Sequence, residues 1–451
     1  MFNKILIANR GEVALRVIRA AKELGVGTVA VYSEADKDTL PVRCADEAVC
    51  IGPAPASQSY LVMSNIIGAA EITGAEAIHP GYGFLAENAD FAKACDVSGI
   101  KFIGPSADCI SSMGDKATAR ETMVRCGVPV VPGSDGICET VEEARDFAEE
   151  NGYPILIKAT AGGGGKGMRE VHVSEELEMQ FTQAQTEARA AFGNGDVYLE
   201  KLIQRPRHVE IQVLADDFDN RIALCERDCS IQRRHQKLLE EAPSPVLNEN
   251  LRRDMGVAAT KAMRAVNYRN AGTVEFLLDE DNKFYFMEMN TRVQVEHPVS
   301  ELITGTDIIK EQIRIAAGEP ISCAVRAPFS PNGAAIEMRI NAEDVDNNFM
   351  PTPGKITRFR IPTGPGVRVD TYLEEGASVS PYYDSLVAKL ICYGQDRPEA
   401  LARAKRALDE FEIEGIKTTI SLHKRILENE VFVLGDARTD FIETQMSDIL
   451  E

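Results

Sequence analysis

The stretch Phe284-Tyr-Phe-Met-Glu-Met-Asn-Thr-Arg-Val-Gln-Val-Glu-His297 constrains this chain more than any other segment. It starts as a β-strand and places Glu288, Asn290, Arg292, Gln294 and Glu296 at a spacing of two. In an extended backbone such residues share one face. Two carboxylates, two amides and a guanidinium are too polar a set to bury without a ligand, yet the flanking Phe, Met and Val residues mark a buried sheet. Upstream, Thr273-Val-Glu-Phe-Leu-Leu278 reads as the partner strand, joined by a turn at 279–282. An even-length turn pairs residues whose numbers sum to 561, so Glu275 is expected opposite Phe286 and diagonal to Glu288. Diagonal neighbours lie roughly 7–8 Å apart, a span that a divalent cation held by two carboxylates bridges.

A chain of 451 residues outgrows one hydrophobic core and divides into several domains. The formal charge of −21 disfavours nucleic acid and anionic membrane surfaces as partners. Small anions remain compatible with it, because screening over about 8 Å lets a local basic pocket prevail. Ten cysteines are scattered without a Cys-x-x-Cys pair, the pattern of free thiols in a reducing cytosol. No signal peptide precedes the first strand and no apolar run has membrane-spanning length. A cytoplasmic, soluble protein is the expectation.

Along residues 1–113, strands at 4–8, 28–32, 48–51, 77–78 and 102–103 alternate with helices at 12–24, 60–73 and 88–98. That rhythm predicts a Rossmann-like parallel sheet. Its first turn, Asn9-Arg-Gly-Glu12, lacks Gly-x-Gly-x-x-Gly, which argues against a dinucleotide. A helical hinge over 114–130 leads into a small lid over 131–203, in which Gly162-Gly-Gly-Gly-Lys-Gly167 separates two strands. A strand–loop–strand hairpin is not a P-loop, and Met-Arg follows where Lys-Ser/Thr would be needed. Its glycines still let backbone amides approach phosphate, with Lys158 and Lys166 beside them. The remainder, 204–451, is expected to be a mixed α+β catalytic domain.

Six motifs then occur in order: His79-Pro-Gly-Tyr-Gly-Phe-Leu-Ala-Glu-Asn88, the glycine loop, His208-Val-Glu-Ile-Gln212, the stretch 226–237, the stretch 288–297, and Arg339-Ile-Asn-Ala-Glu-Asp344. Together they resemble an ATP-grasp ligase and, more narrowly, a biotin carboxylase of the stand-alone type that serves acetyl-CoA carboxylase. The resemblance implies an α/β and α+β ATP-grasp architecture with a mobile lid closing over ATP. It further implies that bicarbonate is phosphorylated to carboxyphosphate and that the carboxyl group passes to N1′ of biotin on a carrier.

Carried over by motif, Lys116, Lys158 and His208 would contact the nucleotide and Gly164 and Gly165 would cover its phosphates. Glu200, Lys201, Leu202, Ile203 and His235 would hold adenine and ribose. Glu275, Glu288 and Asn290 would ligate Mg²⁺ or Mn²⁺ through hard oxygens, with Glu275 also facing ATP. Arg292 would grip bicarbonate bidentately, aided by Lys237, Gln294 and the Val295 backbone. Glu296 would be the base for bicarbonate, and Arg339 would stabilise the enolate-like oxygen of biotin. Tyr82 and Gly83 border the expected biotin pocket. Cys229 lies close to Lys237 in sequence, but an inert buried thiol is the favoured reading.

Another ATP-grasp ligase that makes an acyl phosphate would share the metal group but has no need of the Arg292–Glu296 pair or of Arg339. A nucleotide-binding regulatory subunit would carry substitutions at those positions, and none is found. No Ala-Met-Lys-Met-like segment occurs, so biotin is expected on a separate biotin carboxyl carrier protein and the acceptor on a carboxyltransferase subunit. The chain is also expected to form a homodimer, with Arg16, Arg19 and Glu23 at its interface.

Overall fold

Five short parallel strands stand in the spatial order Glu47–Gly52, Gly27–Ser33, Lys4–Ile7, Ala77–His79, Lys101–Phe102. All neighbouring pairs are parallel. The helix Gly11–Glu23 follows the first strand and buries Val13, Ala14, Val17, Ile18 and Ala21, the i, i+4 stripe that an amphipathic helix turns inward. These elements match the expected Rossmann-like sheet, with shifted ends. The helix expected over 60–73 starts at Met63, because Tyr60 is fully buried and its hydroxyl donates to Asp36. In this computed structural model the described residues are 1–160, 168–323 and 330–447.

Three antiparallel strands, Met168–Val171, Ile155–Ala159 and Val197–Lys201, form a small sheet. The helices Val141–Asn151 and Leu177–Phe192 cover it, with Ala144, Ala148, Leu177 and Phe181 packed on Ile155, Ile157 and Leu199. The expected hairpin is therefore present. The glycine loop at 161–167, with Gly164, Gly165 and Lys166, lies outside the described residues.

An eight-stranded antiparallel sheet carries the rest, in the order Phe284–Asn290, Asn270–Leu278, Arg207–Ala215, Arg221–Arg233, Gln236–Ala242, Ala334–Asn341, Leu386–Gly394, Val367–Thr371. Period-two alternation sorts the strand Arg207–Ala215 into two faces. Val209, Ile211 and Val213 pack on Ala258, Ala259, Ala262 and Met263 of the helix Glu249–Ala265. His208, Glu210 and Gln212 are equally buried but belong to the opposite, polar face. Leu214, Ile222 and Ala271 share a core with Ile5, Ile7 and Val17, which joins this sheet to the first one.

Two expectations about the opening motif are corrected. The connection holds five residues, 279–283, closed by Asp279 N–H to Lys283 O at 2.9 Å, and a bulge follows between Glu275 and Phe276. Glu275 therefore stands directly opposite Glu288, not Phe286. The strand also ends at Asn290, and Glu296 is the N-cap of the helix His297–Thr304. Arg292, Gln294 and Glu296 consequently reach the site from a turn and not from one extended face. Arg16 donates to Glu301 at 2.9 Å and to Asp307 at 2.6 Å of its own chain. No helix among the described residues is long and apolar enough to cross a membrane.

Gly272 sits beside Tyr268, whose hydroxyl would lie 2.3 Å from an added Cβ while donating to Ala271 O. Gly272→Ala should therefore lower stability by ~1–3 kcal/mol through overpacking, measured by denaturant unfolding. The loss should persist in a Tyr268→Phe background, because the ring carbons Cζ and Cε1 would still lie 2.6 and 2.9 Å from that Cβ.

Candidate active site

A cleft of about 2060 Å³ opens where the three sheets meet. Every expected site residue among the described ones lines it except Glu296, which is fully buried behind its wall. The lining includes Lys116 at the start of the helix Lys116–Arg125, Lys158 and Glu200 as an ion pair on the small sheet, and Arg339 on the large one. His235 occupies a two-residue hairpin turn with Arg234, both at positive φ (49° and 64°), the geometry of a type I′ turn. At the hinge after Glu200, the Lys201 amide donates to Pro132 O at 2.8 Å and the Leu202 amide to Pro154 O at 3.1 Å. Backbone donation to an adenine edge is thereby narrowed to Ile203.

At the centre, the Lys237 ammonium donates to Glu210 at 2.6 Å, Glu275 at 3.0 Å and Glu296 at 2.6 Å. All three of its protons are thus engaged. Arg339 bonds Glu240 through Nε at 2.6 Å and the second Glu296 oxygen through Nη2 at 2.9 Å. Arg227, fully buried, binds Glu210, Gln212 Oε1 at 2.7 Å, Ser300 Oγ at 2.9 Å and Thr273 Oγ1 at 3.0 Å. Glu275 Oε1 also accepts from Asn290 and Gln294, each at 2.8 Å, while its other oxygen lies 3.0 Å from His208 Nε2.

Arg292 donates to Glu87 at 2.8 Å, Gln294 Oε1 at 3.0 Å, Val293 O at 3.2 Å and Asn290 Oδ1 at 3.2 Å. With five N–H donors in all, it can hold an anion bidentately only if one of these partners yields. Lys389 reaches Val295 O at 2.8 Å and fixes the backbone expected beside bicarbonate.

Electrostatics separates the carboxylates. Burial alone would raise Glu296, but Lys237, Arg339 and Arg227 hold it well below the usual carboxylate range. Glu275 is likewise buried and held low by Lys237 and His208. Glu288 is raised by burial and by the facing Glu275 charge, with Lys116 opposing. Two carboxylates paired across strands form a hard-oxygen donor set that fits Mg²⁺ or Mn²⁺, which Asn290 joins once its amide turns the oxygen from Arg292 toward the ion, and a divalent ion relieves the carboxylate repulsion. Cys229 is fully buried and its thiol is pushed well up by that burial.

Several site residues went unread in the sequence. Glu210 follows the same alternation as His208 and Gln212 and was legible there. Lys389 is a lone charge within the apolar run 386–392, also a usable signal. Glu87 and Glu240 carry none, because their neighbours' spacing does not set their orientation.

Three family models tile the chain: Biotin carboxylase, N-terminal domain over residues 1–110; Carbamoyl-phosphate synthase L chain, ATP binding domain over 115–324; and Biotin carboxylase C-terminal domain over 337–444. Biotin carboxylase 1 of Bacillus subtilis is 60% identical over 98% of this chain and 99% of its own. The chain belongs to the biotin carboxylase family. A pyruvate carboxylase component from Methanothermobacter thermautotrophicus is 54% identical over 98% of this chain and 90% of its own. Among solved structures, the biotin carboxylase domain dimer of Hydrogenobacter thermophilus 2-oxoglutarate carboxylase, in complex with MgADP, ADP and bicarbonate, matches at TM-score 0.91. It is 50% identical, with 100% of this chain and 99% of that one covered. The architecture is accordingly that of the ATP-grasp biotin carboxylases, and the enzyme class is ATP-dependent ligase.

Two outcomes follow from the buried charges. Arg227→Met removes four buried hydrogen bonds and leaves the Glu210 carboxylate with Lys237 as its one cation, and should cost ~3–5 kcal/mol of unfolding free energy; Arg227→Lys should not restore it, since an ammonium cannot span the four partners. Glu296 has a depressed folded pKa, so its pairing stabilises fully above the unfolded carboxyl value of ~4.3 and is lost as pH falls through the folded value. The stability gap between wild type and Glu296→Gln should then be flat near neutrality and close only in strong acid, as urea titrations at stepped pH will show.

Proposed function

We propose that this biotin carboxylase uses ATP and bicarbonate to carboxylate biotin on a separate carrier protein, as the first half-reaction of an acyl-CoA carboxylase, with acetyl-CoA as acceptor. The observation that carries this reading is the convergence of Lys237 and Arg339 on Glu296, beside the Arg292–Gln294–Val295 turn at the cleft wall. An acyl-phosphate ligase without bicarbonate chemistry has no use for that group.

In this reading, ATP lies between the small and large sheets. Lys116, Lys158 and His208 face its phosphates, Gly164 and Gly165 cover them, and Glu200, Lys201, Leu202, Ile203 and His235 hold its adenosine. Glu275, Glu288 and Asn290 hold Mg²⁺ or Mn²⁺, which when bound neutralises phosphate charge. Bicarbonate sits against Arg292, Gln294 and the Val295 backbone. A bicarbonate oxygen attacks the γ-phosphorus, its proton passes to Glu296, and ADP leaves carboxyphosphate behind. A carboxylate held by two cations is a weak base, so Lys237 must move one bond from Glu296 to the incoming anion. The C–O bond to phosphate then breaks, the carboxyl group passes to N1′ of biotin, and the departing phosphate takes the N1′ proton. Arg339 stabilises the enolate-like ureido oxygen at that step.

The Methanothermobacter pyruvate carboxylase component is 54% identical to this chain. The likeness to that component supports a second acceptor, pyruvate. Co-purification of the chain with its carrier and carboxyltransferase, followed by acceptor assays, separates the two. We also read the protein as a homodimer, in line with the dimeric Hydrogenobacter domain. Arg16, Arg19 and Glu23 of the first helix are the interface candidates.

The half-reactions should separate by mutation. Arg339→Ala should lose ~100–1000-fold of biotin carboxylation, the cost of one oxyanion donor, while bicarbonate-dependent ATP hydrolysis persists. Glu296→Ala and Arg292→Ala should lower both together. Parallel assays of ADP release and carboxybiotin, on variants shown folded by circular dichroism, decide it. Equal loss of both activities in Arg339→Ala would remove Arg339 from the biotin step.

A further inference from the structure

Behind Arg339, the strands Gln236–Ala242 and Ala334–Asn341 set Glu240 directly opposite Glu337. Cross-strand partners hold their Cβ atoms ~4.5–5.5 Å apart, so the two carboxyl groups are neighbours. Both residues are fully buried. Glu240 Oε1 is used by Arg339 Nε, but Glu240 Oε2 and both oxygens of Glu337 meet no donor among the described residues. Two adjacent carboxylates there would stack like charges in a low dielectric, with three bare oxygens to desolvate. One proton between them removes the repulsion and supplies a donor.

The surroundings show which charge the pair needs. Arg339, two residues along the same strand, faces Glu337, and Lys389 stands opposite Arg339 on the next strand. Glu296 faces the pair from the helix N-cap, and Lys237 faces Glu240. Tyr82 adjoins Glu337, and Glu12 and Asp370 bind Lys389 on its far side. Arg339 is thus shared between Glu240 and Glu296, and Lys389 between Glu12 and Val295 O. A second negative charge at Glu337 would compete for both cations, turning Arg339 inward and loosening the Val295 backbone.

We propose that Glu240 and Glu337 hold a single proton between them, and that this singly charged pair is the positioning device that keeps Arg339 aimed at the cleft for the biotin step. Glu337 is then a positioning residue that touches no substrate. Burial pushes Glu337 well above the usual carboxyl range and Glu240 up to about 7, against the pull of their cations. The pair titrates as a unit. Above its release of the shared proton, biotin carboxylation relative to bicarbonate-dependent ATP hydrolysis should fall about tenfold per pH unit, the slope of one proton.

The proposal rests on the biotin carboxylase reading for its kinetic consequence only, and its first test needs no substrate. Isotope-edited infrared spectra with ¹³C-glutamate, at neutral pH, should show a protonated-carboxyl stretch in wild type that Glu337→Gln removes. Glu240→Gln is the second variant: without its acidic neighbour, Glu337 ionises against Arg339 and Lys389, so the band should vanish there too. Each variant's spectrum is subtracted from wild type, so other protonated glutamates cancel. In kinetics, Glu337→Gln, a neutral isostere, should move the alkaline limb of the carboxylation-to-hydrolysis ratio upward. A band that survives both substitutions overturns the shared proton. A lost band with an unmoved limb overturns the positioning role while leaving the biotin carboxylase reading intact.

Discussion

The site depends on one interaction, the Lys237 ammonium held by three buried carboxylates. Each comes from a different part of the fold: Glu210 from one strand, Glu275 from its neighbour, and Glu296 from a helix N-cap. A lone charge at such depth would be expelled or neutralised. The arrangement persists because the cations alternate with the anions. Arg227 closes the chain at Glu210 and Arg339 at Glu296. Removing any member shifts its neighbours onto their remaining partners, so stability and the geometry of the site are tied to the same residues.

That coupling also explains the weakness of Glu296 as a resting base. The cations that make its burial tolerable are the ones that lower its proton affinity. In the proposed reaction an incoming bicarbonate would compete for Lys237, and each bond it took would return basicity to Glu296 at the moment a proton must move. A base freed by its own substrate needs no permanently raised pKa, which distinguishes this site from those that tune a carboxyl by desolvation alone.

Much of this was legible in the sequence because the polar residues follow the strand period. Glu275, Glu288, Asn290 and His208 stand out as polar positions alternating with buried apolar ones, and they do line the cleft. The alternation failed where the backbone departed from regular geometry. A five-residue connection and one bulge moved Glu275 from opposite Phe286 to opposite Glu288. Arg292, Gln294 and Glu296 kept a spacing of two but lie in a turn, so their convergence comes from the helix start at His297 and not from a shared strand face. Glu87 and Glu240 could not be read at all, since they are brought in by tertiary packing from a distant loop and a neighbouring strand.

The sheet face behind Arg339 extends the logic of the site. Lys237 has three anions and Arg339 two, so the local excess is negative and grows with each further carboxyl. Glu337 adds one more where Lys389 is already committed to Glu12 and Val295 O. A buried face can carry such an excess only by letting a carboxyl stay neutral, and the least costly one to protonate is the one without a donor. The same accounting that ionises Glu296 beside two cations leaves Glu337 protonated beside Glu240. Charge state across this sheet is therefore set by which oxygens have partners, and Arg339 lies on the boundary between the two regimes.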